Sequence, residues 1–180
     1  MQPLMIGDKA PNFEMNAVLP NKTFGKVTLQ QILDHNQWAI LVFYPMDFSK
    51  ICPTEITILS DRYDEFEEIN ASIIGISTDS EYTHLAWINT DRFHNGVGQL
   101  KFPLASDRNQ CVSKSYGVLL EEEGNALRGL FIINPQGELV YQTIFHSNVG
   151  RDVDETLRVL QALQTGGLCP ANWRPGKRTL

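Results

Sequence analysis

The stretch WAILVFYP, residues 38 to 45, decides how this chain folds. It is an uninterrupted apolar run of strand length that ends at Pro45. A run of this kind is typical of a strand that is buried on both faces, as in a parallel sheet covered by helices. The stretch therefore predicts a central strand in an α/β protein.

A helix is predicted directly after this strand. Ser49 is a candidate N-cap, and Pro53 is tolerated only in a first turn, so the helix is expected to begin near Ser49. Cys52 then lies in or beside its first turn. The helical spacing of apolar side chains continues through Ile56, Leu59, Tyr63, Phe66 and Ile69.

Further strands and helices alternate along the rest of the chain. SIIGIS (72–77) and FPLAS (102–106) are predicted strands, and HLAWIN (84–89) lies in a helical stretch. LRGLFIIN and ELVYQTIF flank Pro135-Gln136-Gly137, which predicts a hairpin. Alternation of this kind indicates a mixed α/β sheet that is covered on both faces.

The C-terminal part reads as one helix and an arm. DVDETLRVLQALQ is an amphipathic pattern with Asp152 as its cap, and Gly166-Gly167 is expected to end it. LCPANWRPGKRTL is rich in proline and is predicted to be extended. The predicted division is a domain over residues 1–160 and an arm over residues 161–180.

Composition excludes several classes of protein. The net charge is −6 and the 15 basic residues are scattered, which argues against nucleic acid binding. No apolar run approaches the length of a membrane span. The N-terminal MQPLMIGDKAPNFEM lacks the pattern of a secretory signal, so a cytoplasmic protein is expected.

The number and spacing of the cysteines limit the redox and metal chemistry that the chain can perform. The sequence has three, Cys52, Cys111 and Cys169, and contains no CxxC pair. This count does not suggest a disulfide framework or a zinc knuckle, and the four histidines have no metal-site spacing. We therefore predict no metal and no cofactor. Cys111 is expected to be a partly packed thiol outside the reaction.

Cys52 is the candidate nucleophile. The thiolate is the reactive form of cysteine, and the unpaired N–H groups and dipole of a helix N-terminus favour that anion. The end of a buried strand is also where open α/β sheets bind ligands. The competing interpretation is a small buried core cysteine, which position alone does not exclude.

The sequence around Cys52 resembles the typical two-cysteine peroxiredoxins, the family of the peroxidatic subunit of alkyl hydroperoxide reductase. FYPMDFSKICPTEI is similar to that family's signature, and four more segments match in family order: STDSEYTHLAWIN, LRGLFIINPQGELVYQ, GRDVDETLRVLQALQ and CPANWRPG. The resemblance implies a thioredoxin-like fold with a central mixed sheet flanked by helices, an N-terminal β extension and a C-terminal arm. Residues 1–160 would form the peroxidase domain.

By this resemblance, Cys52 attacks hydrogen peroxide or an organic hydroperoxide and becomes a sulfenic acid. Ser49 would bond the thiolate and the peroxide, and Pro45 would shield the sulfur. Arg128 would hold the thiolate deprotonated. Locally, Ser49 reads equally well as a helix cap, Pro45 as a strand end and Arg128 as a solvated sheet residue.

Two further charged residues complete the implied site. Arg151 matches a second family arginine, and Glu55 would orient both arginines. Without the family match, Arg151 reads as a charge near a helix start, and Glu55 reads as a residue that favours a helix N-terminus. The family usually has threonine where this chain has Ser49, so a packing methyl group is missing.

The resemblance also implies a second cysteine and a partner subunit. Cys169 would resolve the sulfenic acid by a disulfide to Cys52 of the other chain, which requires a homodimer. Five dimers often form a decamer, and the segments Asp47-Phe48 and Thr83-His84 resemble its ring interface. Thioredoxin or a flavoprotein disulfide reductase would reduce the disulfide.

Other functions are weaker predictions from the sequence. A dithiol-disulfide oxidoreductase on the same fold is disfavoured because the chain has no CxxC. A ring-forming holdase chaperone has no apolar surface stretch that singles it out. A one-cysteine peroxidase follows if Cys169 does not reach Cys52. The leading prediction is a thiol peroxidase with an antioxidant role.

Overall fold

A computed structural model describes residues 2–180. The strands are β1 Glu14–Val18, β2 Phe24–Thr28, β3 Trp38–Phe43, β4 Ala71–Ser77, β5 Leu104–Ser106, β6 Leu119–Leu120, β7 Asn125–Ala126, β8 Arg128–Ile133 and β9 Leu139–Phe145. The helices are α1 Leu29–Asp34, α2 Cys52–Asp61, α3 Tyr63–Glu68, α4 Glu81–Asn89, α5 Cys111–Ser115 and α6 Val153–Thr165.

The main sheet has seven strands in the order β2-β1-β5-β4-β3-β8-β9. β3 runs parallel to β4 and antiparallel to β8, and β4 runs parallel to β5. β3 therefore lies inside the sheet with a neighbour on each side. The predicted mixed α/β sheet with β3 as a central strand is confirmed.

The side chains of β3 divide between the two halves of the core. Ile40 and Val42 pack into a cluster with residues of α2, α3, α4 and α6. Ala39, Leu41 and Phe43 point to the opposite face and pack with residues of α1 and α5. Because both faces of the strand are covered, its sequence is apolar without the alternation of a half-exposed strand.

The helix after β3 begins later than predicted and is broken. Its first residue is Cys52 and its N-cap is Ile51, which makes no side-chain capping bond. The prediction of Ser49 as N-cap is therefore wrong. The spacing that predicts one helical stretch to Ile69 is divided at Arg62, where α2 ends and α3 begins.

The N-terminal β extension is confirmed as the hairpin β1–β2, in which Glu14 pairs with Thr28. β1 also pairs with β5 and so joins the main sheet. α1 was not predicted from the sequence, although Thr28 and Gln31 form a capping box at its start. α1 covers the face of the sheet opposite α2, where Leu29 and Ile32 join the second core cluster.

The C-terminal elements follow the sequence pattern closely. β8 and β9 form the predicted hairpin. Asp152 caps α6 by accepting the Glu155 N–H at 2.9 Å, and Gly166 ends the helix at φ +67°. α6 thus runs across the predicted boundary at residue 160, and the irregular arm begins at Gly166. Within residues 2–180, no helix has the length and apolar character needed to cross a membrane.

Candidate active site

Cys52 lies where the central strand meets the covering helix. The chain leaves β3 at Phe43, crosses the loop 44–51 and enters α2 at Cys52, with Pro53 next in the first turn. The Cys52 side chain is fully buried. Its sulfur therefore sits beside the exposed N–H groups of a helix start but within the protein core.

Arg128 reaches the sulfur from the neighbouring strand. It is the first residue of β8, which pairs antiparallel with β3. Its Nη1 donates to Cys52 Sγ at 3.2 Å, and its Nε donates to the carbonyl of Ser147 at 2.8 Å. A buried guanidinium held at this distance stabilises negative charge on the sulfur.

Glu55 joins two arginines to the helix that carries Cys52. Its Oε1 accepts from Arg128 Nη1 at 2.5 Å, and its Oε2 accepts from Arg151 Nε at 2.6 Å. Arg151 also donates from Nη1 to the carbonyls of Phe43 and Gly129 at 2.7 and 2.8 Å. The second arginine thereby ties the ends of β3 and β8 to the first turn of α2.

The charges of this cluster balance only when the sulfur is an anion. The side chains of Arg128, Arg151 and Glu55 are 4%, 6% and 4% exposed. Two buried cations face one carboxylate, which leaves one positive charge uncompensated. Uncompensated charge in a protein interior is costly, and a thiolate at Cys52 removes it.

Ser49 and Pro45 both lie in the loop before α2 and are half-buried. The Ser49 hydroxyl oxygen is buried and has no hydrogen-bond partner among residues 2–180. A buried hydroxyl without a partner is unusual in a folded protein. It is therefore free to bond an oxygen atom that enters the site.

Cys169 is not brought to Cys52 within the chain. Both are free cysteines, and Cys169 is half-buried on the arm against the end of α6. Its Sγ lies 3.6 Å from the Ala162 carbonyl oxygen and 3.5 Å from Thr165 Oγ1. The two sulfurs thus occupy separate places, one in the core and one beside α6.

Of two predictions away from Cys52, one is wrong and one stays a prediction. Cys111 is exposed at the start of α5, so its prediction as a partly packed thiol is wrong. The segments Asp47-Phe48 and Thr83-His84 stay a predicted ring interface; within the chain, the Asp47 and His84 side chains are fully buried and bond each other. Phe48 beside them is 42% exposed. The sequence gives no signal for the Asp47–His84 pair, because the two residues are 37 positions apart.

Acidic, histidine and cysteine side chains do not gather into a group that could hold a metal ion anywhere in residues 2–180.

Known proteins are similar to this chain over nearly its whole length. Residues 6–142 match the AhpC/TSA family. The protein named "Putative peroxiredoxin YkuU" of Bacillus subtilis (strain 168) is 69% identical over 176 residues, which cover 98% of each chain. The chloroplastic 2-Cys peroxiredoxin BAS1 of Spinacia oleracea is 48% identical over 180 residues, which cover 98% of this chain and 67% of that protein.

The similarity extends to three-dimensional structure. The crystal structure of reduced 2-Cys peroxiredoxin from Plasmodium vivax matches with a TM-score of 0.95 at 39% identity. The match covers 98% of this chain and 93% of that one. Sequence and fold therefore agree on the same group of relatives.

Proposed function

The chain belongs to the AhpC/TSA family and is a thiol peroxidase of the peroxiredoxin kind, and we propose that Cys52 is the sulfur that peroxide oxidises. The observation that carries this assignment is the 3.2 Å contact from Arg128 Nη1 to Cys52 Sγ. A buried donor at that place stabilises the attacking thiolate.

The first step transfers one oxygen atom. The Cys52 thiolate attacks one oxygen of hydrogen peroxide or an organic hydroperoxide, an S–O bond forms, and the O–O bond breaks. Cys52 is oxidised to a sulfenic acid, and the other oxygen leaves with the electron pair and takes a proton, giving water or an alcohol. Arg128 and the unpartnered Ser49 hydroxyl are the donors that bond the peroxide oxygens, and Pro45 shields the sulfur from water.

The second step needs another subunit. Cys169 of one chain attacks the Cys52 sulfenic acid of its partner, which forms a disulfide and releases water. The separation of the two cysteines within one chain supports this intersubunit route. We infer a homodimer, with five dimers in a decamer, and a cytoplasmic location. Thioredoxin or a flavoprotein disulfide reductase would then reduce the disulfide, and the protein would serve as an antioxidant.

Substitution of each cysteine separates the two steps. Cys52→Ser is expected to abolish peroxide consumption, because serine does not form the sulfenic acid. Cys169→Ser is expected to consume one peroxide per subunit and then stop, because Cys52 is oxidised but not recycled. Peroxide loss per mole of protein, measured with thioredoxin and its reductase as the only reductant, gives both numbers, because a small dithiol would reduce the Cys52 sulfenic acid directly.

The matched control is Cys111→Ser, which removes a thiol that is exposed and remote from the Arg128 cluster. Its peroxide turnover should equal that of the unaltered protein. Sustained peroxide turnover by Cys52→Ser would refute the assignment of Cys52.

A further inference from the structure

Lys50 is an exposed cation two residues before Cys52. Consecutive Cα atoms are about 3.8 Å apart, so the backbones of these two residues lie within about 8 Å of each other. Ion pairs hold other surface lysines, for example Lys101 and Lys114. The Lys50 ammonium group has no acidic partner among residues 2–180, so its charge faces solvent on the loop that delivers the reacting sulfur.

The loops 44–51 and 146–151 meet beside Cys52. Gly150 approaches the first loop so closely that a Cβ at Gly150 would lie 3.4 Å from Ile51 Cγ2. The second loop also supplies the carbonyl that holds the arginine beside the sulfur. Because the Cys52 side chain is fully buried, we call the surface where these two loops meet the entrance to the sulfur.

The other acidic and basic side chains of the two loops are balanced or neutral. Asp47 is buried and paired with a histidine of α4. Arg151 belongs to the buried cluster in which Glu55 and the thiolate balance two arginines. His146 accepts a backbone N–H on Nδ1 at 3.2 Å, which requires a neutral ring. Lys50 therefore leaves one uncompensated positive charge at the entrance, although the chain as a whole carries a net charge of −6.

Apolar side chains accompany this charge at the entrance. Ile51, next to Lys50, is half-buried, and Val149 in the facing loop is 53% exposed. A cation beside apolar surface complements a molecule that has both a carboxylate and a hydrocarbon part. Hydrogen peroxide has neither, so this surface distinguishes between peroxides.

We propose that Lys50 is a specificity-determining residue of the peroxidase reaction and favours organic hydroperoxides that carry a carboxylate group. The ammonium group attracts the carboxylate while the hydroperoxide end reaches Cys52. The bond changes are those already given: an S–O bond forms, the O–O bond breaks, and the product that leaves is a hydroxy acid. The proposal rests on Cys52 as the reacting sulfur and adds a substrate class to that function.

The size of the attraction follows from the distance between the two charges. Unit charges about 6 Å apart in water interact strongly enough to change a rate constant about threefold. Salt removes this effect, because the screening length falls from about 30 Å at 0.01 M to about 3 Å at 1 M. The preference is therefore largest at low ionic strength.

Cumene hydroperoxide and its para-carboxylate derivative provide a matched pair of substrates. They share the reacting group and differ in one remote charge. Rapid mixing with the reduced full-length protein at low ionic strength gives the rate constant of Cys52 oxidation for each. The ratio of the charged to the neutral substrate should fall about threefold in Lys50→Gln, and about tenfold in Lys50→Glu because the charge is reversed. In 1 M salt the unaltered protein should show the ratio of Lys50→Gln.

The matched control is Lys9→Gln, which makes the same charge change at an exposed lysine. Lys9 pairs with Glu138, beyond the end of β8 that is opposite Arg128. Its ratio should equal that of the unaltered protein. Any effect common to both substrates, such as a disturbed loop or an altered thiolate, cancels in the ratio.

An unchanged ratio in both Lys50 variants would overturn the proposal, and so would an equal fall in Lys9→Gln. Neutral cumene hydroperoxide keeps this test separate from the assignment of the nucleophile. If neither substrate oxidises Cys52 in the unaltered protein, the assignment of Cys52 itself is wrong. If both substrates oxidise it and the ratio ignores Lys50, only the substrate preference fails.

Discussion

Arg128 has two neighbours that compete for one nitrogen. Its Nη1 donates both to Cys52 Sγ and to Glu55 Oε1, at 3.2 and 2.5 Å. Glu55 therefore fixes where the donor lies, while Arg151 supplies a second positive charge that offsets the carboxylate. The result is a fixed donor whose charge remains available to the sulfur, which a lone Arg–Glu pair would not provide.

Arg128→Met tests this donor. Methionine keeps much of the volume but removes the charge and the N–H groups, so the second-order rate constant for Cys52 oxidation should fall about 100-fold. The rate constant of Arg128→Lys should fall less, because lysine keeps the charge but not the planar fork of donors. Rapid-mixing measurement of Cys52 thiol loss gives both rate constants.

The matched control is Arg92→Met, which breaks an exposed ion pair with Asp61 on the surface. Exposed pairs contribute little, so its oxidation rate should not change. If Arg128→Met also reacts at the unaltered rate, Arg128 has no part in activating the sulfur.

At the scale of the elements, the arm has one buried aromatic side chain, Trp173, and its backbone is bonded to α6. Trp173 is 4% exposed, and its carbonyl accepts from Arg158 Nη1 at 3.3 Å. Its Nε1 donates to the Lys177 carbonyl at 3.0 Å, and Leu180 N–H donates to the Leu168 carbonyl at 2.8 Å. The arm that carries Cys169 is thus docked by few contacts around a single buried ring.

Trp173→Ala is expected to detach the arm. Loss of a buried tryptophan costs about 3–5 kcal/mol, more than the remaining contacts of a short irregular segment are expected to supply. Trypsin cleavage after Lys177 or Arg178 should accelerate at least about tenfold. The cleavage rate is measured by mass spectrometry of the intact chain. Cys52 oxidation should be unaffected, because Cys52 lies in the core apart from the arm.

Phe93→Ala provides the comparison, since Phe93 is 98% exposed and contributes no buried contact. Its tryptic cleavage should match that of the unaltered protein. Equal cleavage of the Trp173→Ala variant would mean that other contacts hold the arm.

At the scale of the whole molecule, the two cysteines cannot meet without rearrangement. Cys52 is fully enclosed by the core, and Cys169 faces α6 of its own chain. A disulfide requires the sulfurs to approach to about 2.05 Å. Within one chain, a disulfide would therefore require the first turn of α2 to expose Cys52 and the arm to leave α6.

Subunit mixing tests whether the disulfide joins Cys52 of one subunit to Cys169 of another. Two variants lacking Cys111 are prepared, one with only Cys52 and one with only Cys169. After subunit exchange, peroxide should produce a disulfide-linked dimer on a non-reducing gel from the mixture and not from either variant alone. A covalent dimer that fails to form in the mixture, while a protein with both cysteines forms an internal disulfide in its monomer, would contradict the intersubunit route.

Local patterns in the sequence determined much of this protein. The apolar run at β3, the turn at Pro135-Gln136-Gly137 and both ends of α6 were predicted, because strand burial, turn chemistry and capping act over a few residues. The place of Cys52 at a helix start follows from the same local rules. The family match further indicated the reaction and the residues to examine.

Only the tertiary structure decided how those residues meet. Arg128 and Cys52 are 76 positions apart and come together because β8 pairs with β3 beside the start of α2. The same packing left the Ser49 hydroxyl without a partner among residues 2–180 instead of capping the helix, and it enclosed Asp47 with His84. Distances between remote side chains depend on strand pairing and core packing, which no local pattern records.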